Sequence, residues 1–241
     1  MKKTKIVATI SDKRCEVEFL EKLDRAGMNV VRLNTAHQDM EQALKVVENV
    51  RKVSDNIAIL IDTKGPEVRT MLMDEPMYVD RGETVYLTGD PELKMDGKLI
   101  HVSYPYFAED IKVGDKVLVD DGDVELIVVE KKDHYLKMMV TNEAVIKNRK
   151  SVNVPGASLK LKSLSDKDRA FIDFAIDNNL DFIAHSFVRN KEDVMAIQAI
   201  LDARGSKIKV IAKIENQEGV DNIDEILDYA YGVMVARGDL G

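Results

Sequence analysis

Polar side chains interrupt several short apolar runs of this sequence, and their types form a coherent chemical set. Arg32 and Asn34 close the run Val30-Val31-Arg32-Leu33-Asn34. Asp62 and Lys64 follow the apolar stretch 57–61, Lys213 and Glu215 close the stretch 208–214, and Asp239 follows the stretch 232–236. Strand side chains alternate faces, so Arg32 shares a face with Asn34, Asp62 with Lys64, and Lys213 with Glu215. Charges such as Arg32, Asp62, Lys213, Glu215 and Asp239 gathered near one rim are costly to desolvate unless they meet ligands or each other. Glu215 and Asp239 suit a hard divalent cation, Mg²⁺ or Mn²⁺, which prefers oxygen ligands. Lys213 and Arg32 suit an anionic group, phosphoryl or carboxylate. A metal with Lys and Arg is what phosphoryl transfer uses to neutralise charge on the moving group. The same set also stabilises an enolate beside a metal-bound carboxylate.

Plainer readings stand beside these. Asp62-Thr63-Lys64-Gly65-Pro66 has the composition of a turn, Glu215-Asn216 can cap a helix, and Arg237-Gly238-Asp239 can be a surface turn. Lys213 can be salt-bridged to Glu215 or Asp239, since a buried lysine is rare without a partner. His37 reads equally as a loop residue or a ligand, and His101, His134 and His185 have no metal-ligand spacing. Gly65 and Gly238 form neither a G-x-G-x-x-G nor a P-loop pattern.

The elements that must carry these residues alternate at first between short β-branched runs and helical stripes. Strands are expected at 5–10, 30–34 and 57–61, with helices at 15–26 and 40–53, the second showing Leu44, Val47 and Val50 on one stripe. From about 71 to 157 the pattern changes to short alternating segments separated by turns, an inserted all-β domain. The strand–helix rhythm then resumes. A helix capped by Ser165 runs to Asn178, and strands are expected at 181–187, 208–214 and 232–236, with helices at 191–203 and 220–230 between them. Short links between such units make a parallel α/β sheet, whose functional residues lie at the carboxyl ends of the strands. Six such strands, interrupted after the third, point to an incomplete (β/α)₈ barrel, a fold that takes about 250 residues when complete. An open doubly wound sheet is the rival, because periodicity does not report closure. The expected domains are 1–70 with 158–241 for the barrel, truncated after its sixth strand, and 71–157 for the β-rich lid.

Composition narrows the partners. Among 241 residues, 35 Lys and Arg against 43 Asp and Glu give a net charge of −8, which argues against nucleic acid or an anionic membrane as the main partner. No apolar run reaches the ~20 residues a transmembrane helix needs. The single cysteine, Cys15, excludes an internal disulfide framework and fits a reducing, cytoplasmic setting.

Several blocks in order resemble the N-terminal part of pyruvate kinase. They are Asn29-Val30-Val31-Arg32-Leu33-Asn34, the segment Asp62-Thr63-Lys64-Gly65-Pro66-Glu67-Val68-Arg69-Thr70, Val119-Asp120-Asp121-Gly122 and Val152-Asn153-Val154-Pro155-Gly156. Ser186-Phe187-Val188-Arg189, Ala212-Lys213-Ile214-Glu215-Asn216-Gln217-Glu218-Gly219 and Met234-Val235-Ala236-Arg237-Gly238-Asp239-Leu240-Gly241 complete them. The resemblance implies phosphate transfer from phosphoenolpyruvate to ADP, giving pyruvate and ATP. It implies that Glu215 and Asp239 hold Mg²⁺ or Mn²⁺, that Lys213 stabilises the phosphoryl group, and that Arg32 contacts the substrate phosphate. Gly238 and Asp239 match the cradle of the substrate carboxylate. Asn34, Asp62 and Thr63 match ligands of a monovalent cation, K⁺, and Glu67 is the residue type that accompanies potassium dependence. Asn34, His37, Arg69 and Lys150 match the nucleotide side, with Lys150 on the lid. The full-length form is expected to be a homo-oligomer.

Two segments depart from the family pattern. Thr9-Ile10-Ser11-Asp12-Lys13-Arg14 replaces the usual Thr-Ile-Gly-Pro-Ala-Ser, and Asn34-Thr35-Ala36-His37-Gln38 replaces Asn-Phe-Ser-His-Gly. Ala36 thereby removes a hydroxyl expected at the monovalent cation. The chain reads as a fragment, inactive alone. A metal-dependent lyase or aldolase on a related barrel, and a non-catalytic remnant, remain as alternatives at this point.

Overall fold

The computed structural model describes residues 3–157 and 159–237. Two compact units make up the chain: Met1–Pro66 with Ser163–Gly241, and Glu67–Lys162. The first begins β1 (Ile6–Thr9), α1 (Val17–Arg25), β2 (Met28–Asn34), α2 (Met40–Val53), β3 (Ala58–Asp62). The second contains β4 (Thr70–Met71), β5 (Met77–Val79), β6 (Thr84–Thr88), β7 (Leu99–Val102), α3 (Phe107–Asp110), β8 (Lys116–Val119), β9 (Val124–Lys131), β10 (Leu136–Val140), β11 (Ala144–Ile146) and β12 (Val152–Asn153). The first unit resumes with α4 (Asp166–Asp177), β13 (Phe182–His185), α5 (Lys191–Ala203), β14 (Lys209–Ile214), α6 (Gln217–Asp221), α7 (Ile223–Tyr229) and β15 (Gly232–Val235).

The sheet of the first unit is parallel throughout, in the order β1-β2-β3-β13-β14-β15. Strands laid down in sequence order, with no reversal, are the winding of a (β/α)₈ barrel; a doubly wound sheet reverses direction at a switch point. The architecture is that of an incomplete barrel with an inserted domain. Strand alternation sends Val31, Leu33, Ile59, Ile61, Ile183, Val210, Ala212 and Ile214 into one core with the helices. The intervening residues, Arg32, Asn34, Asp62 and Lys213 among them, stand on the other face.

Local chemistry sets the helix starts. Asp39 and Gln42 form a reciprocal capping box on α2, and Ser165 and Asp168 form another on α4, as the sequence led us to expect for Ser165. On α2 the buried stripe is Ala43, Val46, Val47 and Val50, so Leu44, expected inside, is exposed. The single helix expected at 220–230 is two helices. The break falls at Asn222, the residue that ends α6 and starts α7, whose side-chain amide donates to Arg189 O at 2.9 Å.

The second unit has a seven-stranded sheet in the order β12-β8-β9-β10-β6-β7-β4 and a two-stranded ribbon of β11 and β5. All its pairings are antiparallel except β6 with β7. Val85, Leu87, Val117, Leu126, Leu136 and Met138 alternate into its own core, with Val68 at one end of the segment and Leu161 packing near the other.

Candidate active site

Parallel pairing places Asn34 beside Asp62 and Ala184 beside Asp62, while Ala184 in turn pairs with Ile211 on β14. Neighbouring strand ends thus bring Arg32, Asp62 and Lys213 together across four strands. Arg32 Nε donates to Asp62 Oδ2 at 2.6 Å, and its Nη2 pairs with the same oxygen. Arg32 Nη1 donates to Thr9 Oγ1 at 2.8 Å, which fixes the guanidinium from the opposite side. Lys213 Nζ lies 3.1 Å from Asp62 Oδ1 and 2.8 Å from Glu215 Oε1, and donates to Ser186 Oγ at 2.8 Å. Its three ammonium protons therefore have three acceptors. Asp62 and Glu215 are buried, with side chains 2% and 4% exposed, whereas Lys213 is 12% and Arg32 27% exposed. The cations are the accessible members, which is the arrangement needed to receive an anion. Two positive and two negative groups cancel, so buried charge is compensated without a ligand.

The support beneath this cluster is less visible in the sequence. Ser186 Oγ lies 2.7 Å from Thr63 O and 3.1 Å from Asp62 Oδ1, and Ser186 N–H donates to Thr63 Oγ1 at 3.0 Å. Phe187 adopts φ +56°, a conformation costly for a bulky side chain, and in it donates its N–H to Glu215 Oε2 at 2.7 Å. Gly65, at φ +69°, is required by close approach: a Cβ there would lie 2.8 Å from both Ser186 Cβ and Ser186 O. The turn composition of 62–66 is thus real, and it brings the chain against Ser186. Ser186 stood in a family block without a role of its own; its signal was a hydroxyl following an apolar strand. Lys64, expected on the face of Asp62, is exposed, and its N–H donates to Asp168 Oδ1 at 2.9 Å.

Other expected residues fall outside the network. Asn34 Oδ1 accepts from Ala36 N–H at 3.1 Å, and His37 is exposed in the loop after β2. Asn216 does cap a helix, accepting from Gly219 N–H at 2.8 Å. Arg69 and Lys150 belong to the second unit. There Arg69 pairs with Glu67 at 2.7 Å and donates to Arg149 O, while Lys150 pairs with Asp120 at 2.8 Å. Gly238 and Asp239 lie outside the described residues. Among the described residues no group of three or more His, Cys, Asp or Glu side chains is gathered to hold a metal, and no helix is long and apolar enough to cross a membrane. Glu215 nevertheless fits a hard cation: its Oε2 is fixed by a backbone N–H, and its Oε1 already faces a positive charge, the Lys213 ammonium.

His185 sits behind the cluster on the helix-facing side of β13, paired in register with Ala212. Burial pushes its imidazole down to about 4, against the opposing pull of the Asp193 and Asp168 carboxylates. The ring is therefore neutral at physiological pH.

Comparison with known proteins points to one family. The family model for the pyruvate kinase barrel domain matches residues 1–241. The pyruvate kinase of Borreliella burgdorferi is 52% identical over 241 residues, which is 100% of this chain and 50% of that protein. That of Geobacillus stearothermophilus is 45% identical over 248 residues, covering 100% of this chain and 42% of the relative. The crystal structure of a pyruvate kinase from Cryptosporidium parvum matches with a TM-score of 0.92 at 38% identity, over 99% of this chain and 51% of that one. The chain spans about half the length of the relatives it matches.

Proposed function

The chain belongs to the pyruvate kinase family, and on that premise we propose that the polypeptide carrying it transfers the phosphoryl group of phosphoenolpyruvate to ADP, a glycolytic step yielding pyruvate and ATP. The observation that carries this reading is the Lys213 ammonium held between Asp62 and Glu215, beside the more accessible Arg32. Arg32 receives the substrate phosphate. Lys213 stands where negative charge develops as the phosphoryl group moves, and Asp62 holds both cations in place. Ser186 takes the third ammonium proton and so sets the direction of the other two.

Glu215 and Asp239 would hold Mg²⁺ or Mn²⁺, and Asn34, Asp62 and Thr63 a potassium ion. The divalent ion supplies further positive charge at the phosphate oxygens when bound, which a cluster of cancelling charges requires on receiving an anion. The substrate carboxylate is assigned to Gly238 and Asp239, and the nucleotide to Asn34, His37, Arg69 and Lys150. A cytoplasmic homo-oligomer is the expected context.

The test is a coupled assay of the full-length polypeptide with phosphoenolpyruvate and ADP, Mg²⁺ and KCl. Pyruvate formation that Lys213→Met lowers by orders of magnitude supports the reading. Undiminished turnover in that variant, or none in the parent protein, rejects it.

A further inference from the structure

A cavity of about 660 Å³ lies at the amino ends of β13 and β14, away from the rim that carries Lys213. Small-molecule sites run from about 300 to 1,000 Å³, so this volume suits one. Lys209 opens β14, and Lys213 follows about 13 Å further along at a strand's rise per residue. The cavity and the charged cluster are therefore separate places at opposite ends of one strand.

The walls of the cavity are the two turns that feed these strands. Asn179, at φ +51°, follows α4, and Gly205, at φ +61°, follows α5. In each turn the next N–H reaches back into the helix, Leu180 to Ala175 O and Ser206 to Leu201 O, both at 2.9 Å. Such left-handed stops satisfy carbonyls at the helix end, which then have less call on a cation.

The charges that line the cavity are not in balance. Its carboxylate, Asp181, is engaged by neighbours: Oδ2 accepts Ile59 N–H at 2.8 Å and pairs with Arg51 at 3.3 Å. Arg204 is matched by Asp173 at 2.9 Å and Asp177 at 2.7 Å. Lys207 and Lys209 are exposed, and among the described residues neither makes an ion pair. Two positive charges thus stand uncompensated in one concave place. Leu180, Phe182 and Ile208 supply apolar lining beside them. Tyr231 extends the aromatic surface, with its ring centroid 6.1 Å from that of Phe182 and 5.7 Å from Lys209 Nζ.

We infer that this cavity binds a small organic dianion, a phosphate monoester with a flat apolar body. The ammonium groups of Lys207 and Lys209 take the phosphate oxygens, and the ring of Phe182 takes the body. A phosphate monoester carries close to two negative charges at neutral pH and so matches two lysines, whereas a single carboxylate leaves one unused. The inference stands on the first unit alone and does not use the phosphoryl-transfer reading.

Phenyl phosphate is the probe, titrated calorimetrically into the full-length polypeptide. Saturable binding is expected, with Kd raised about fivefold by Lys207→Ala or Lys209→Ala and more than tenfold by both together. Inorganic phosphate, which lacks the ring, should bind about tenfold more weakly. Lys213→Met, which alters the cluster at the other end of β14, should leave the binding in place. Equal affinity in the double lysine variant, or binding that only Lys213→Met removes, would overturn the proposal; so would an absence of saturation up to about 10 mM. Chemical acetylation of the unmodified protein, read by mass spectrometry, locates the probe without any variant. Phenyl phosphate should slow acetylation of Lys207 and Lys209 severalfold relative to exposed Lys22 on α1. Equal acetylation with and without the probe would place it elsewhere and end the assignment.

Discussion

Lys213 Nζ lies 2.8 Å from Glu215 Oε1, two residues along the same strand end, and 3.1 Å from Asp62 Oδ1, two strands away. One ammonium thereby neutralises two buried carboxylates. Removing it leaves both uncompensated, an outcome that costs about 3–5 kcal/mol when a buried pair is broken. Lys213→Met should therefore lower the unfolding midpoint in denaturant as well as slow phosphoryl transfer. Its KM should change far less than its kcat, because the ammonium acts where charge develops. An unchanged midpoint would mean that solvent already screens the pair.

The two partners of Lys213 differ in how legible they are. Glu215 is two positions away and follows from strand alternation. Asp62 is reached only through the β3-β13-β14 order, a tertiary relationship that no local pattern contains. The barrel rhythm could be read because each strand buries one face against helices, leaving a period in the sequence. The Ser165 cap could be read because its partner Asp168 is local. The split at Asn222 could not, since the contact made there, a hydrogen bond to Arg189, is with another loop. Nor could the supporting roles of Ser186 and Phe187 be read, which depend on a positive φ and a glycine contact.

That glycine contact gives a second expectation. At Gly65 an added Cβ meets Ser186 Cβ and O at 2.8 Å, in a left-handed conformation already unfavourable to L side chains. Gly65→Ala should cost about 1–3 kcal/mol in backbone strain and push Ser186 off Lys213. Turnover should fall with it. Stability measured by denaturant titration and kcat measured on the same preparation would both have to be unaffected for the contact to be irrelevant.

Potassium dependence is testable at one atom. Ala36 is exposed in the loop after β2 and offers no side-chain oxygen. Activation by KCl at constant ionic strength should be present but weak. Ala36→Ser should reduce the half-activating concentration about fivefold if the restored ligand contributes about 1 kcal/mol. A rate indifferent to KCl in both proteins would dismiss the monovalent site.

The second unit carries its own pH signature. Tyr104 donates its hydroxyl to Asp110 Oδ2 at 2.5 Å, and Asp110 also accepts from Lys160 N–H at 3.0 Å. Burial, then the Asp110 carboxylate, raises the Tyr104 phenol. Burial works to raise Asp110 too, but the hydrogen bonds from Lys160 and Tyr104 prevail and lower it. A raised folded pKa gives stability that is complete below the unfolded value, near 10.0 for tyrosine, and is lost as pH climbs toward the folded one. A lowered carboxyl gives stability that is complete above its unfolded value, near 3.8, and is lost as pH falls toward the folded one. Tyr104→Phe should remove the alkaline loss, and Asp110→Asn the acid loss. Chemical denaturation followed across pH in the three proteins checks both, and parallel curves would refute the linkage.

The outer strands bear on the behaviour of the 241-residue chain expressed by itself. In the order β1-β2-β3-β13-β14-β15, β1 and β15 each have one neighbour. Their apolar residues are open: Val7 is 49% and Val235 63% exposed, and Ile6 and Val233 are also exposed. A parallel sheet is ordinarily covered on both faces, and an unpaired strand edge with apolar side chains invites pairing with another copy. The isolated chain should therefore self-associate, and more so as concentration rises. The second unit closes its own core around Leu87, Leu126 and Met138 and has no need of such pairing. Sedimentation velocity of the chain across a concentration series gives the decision. Replacing Val235 with Lys, which puts charge on the open edge, should shift the distribution toward monomer. A monomer at every concentration without that substitution would show that these edges are protected.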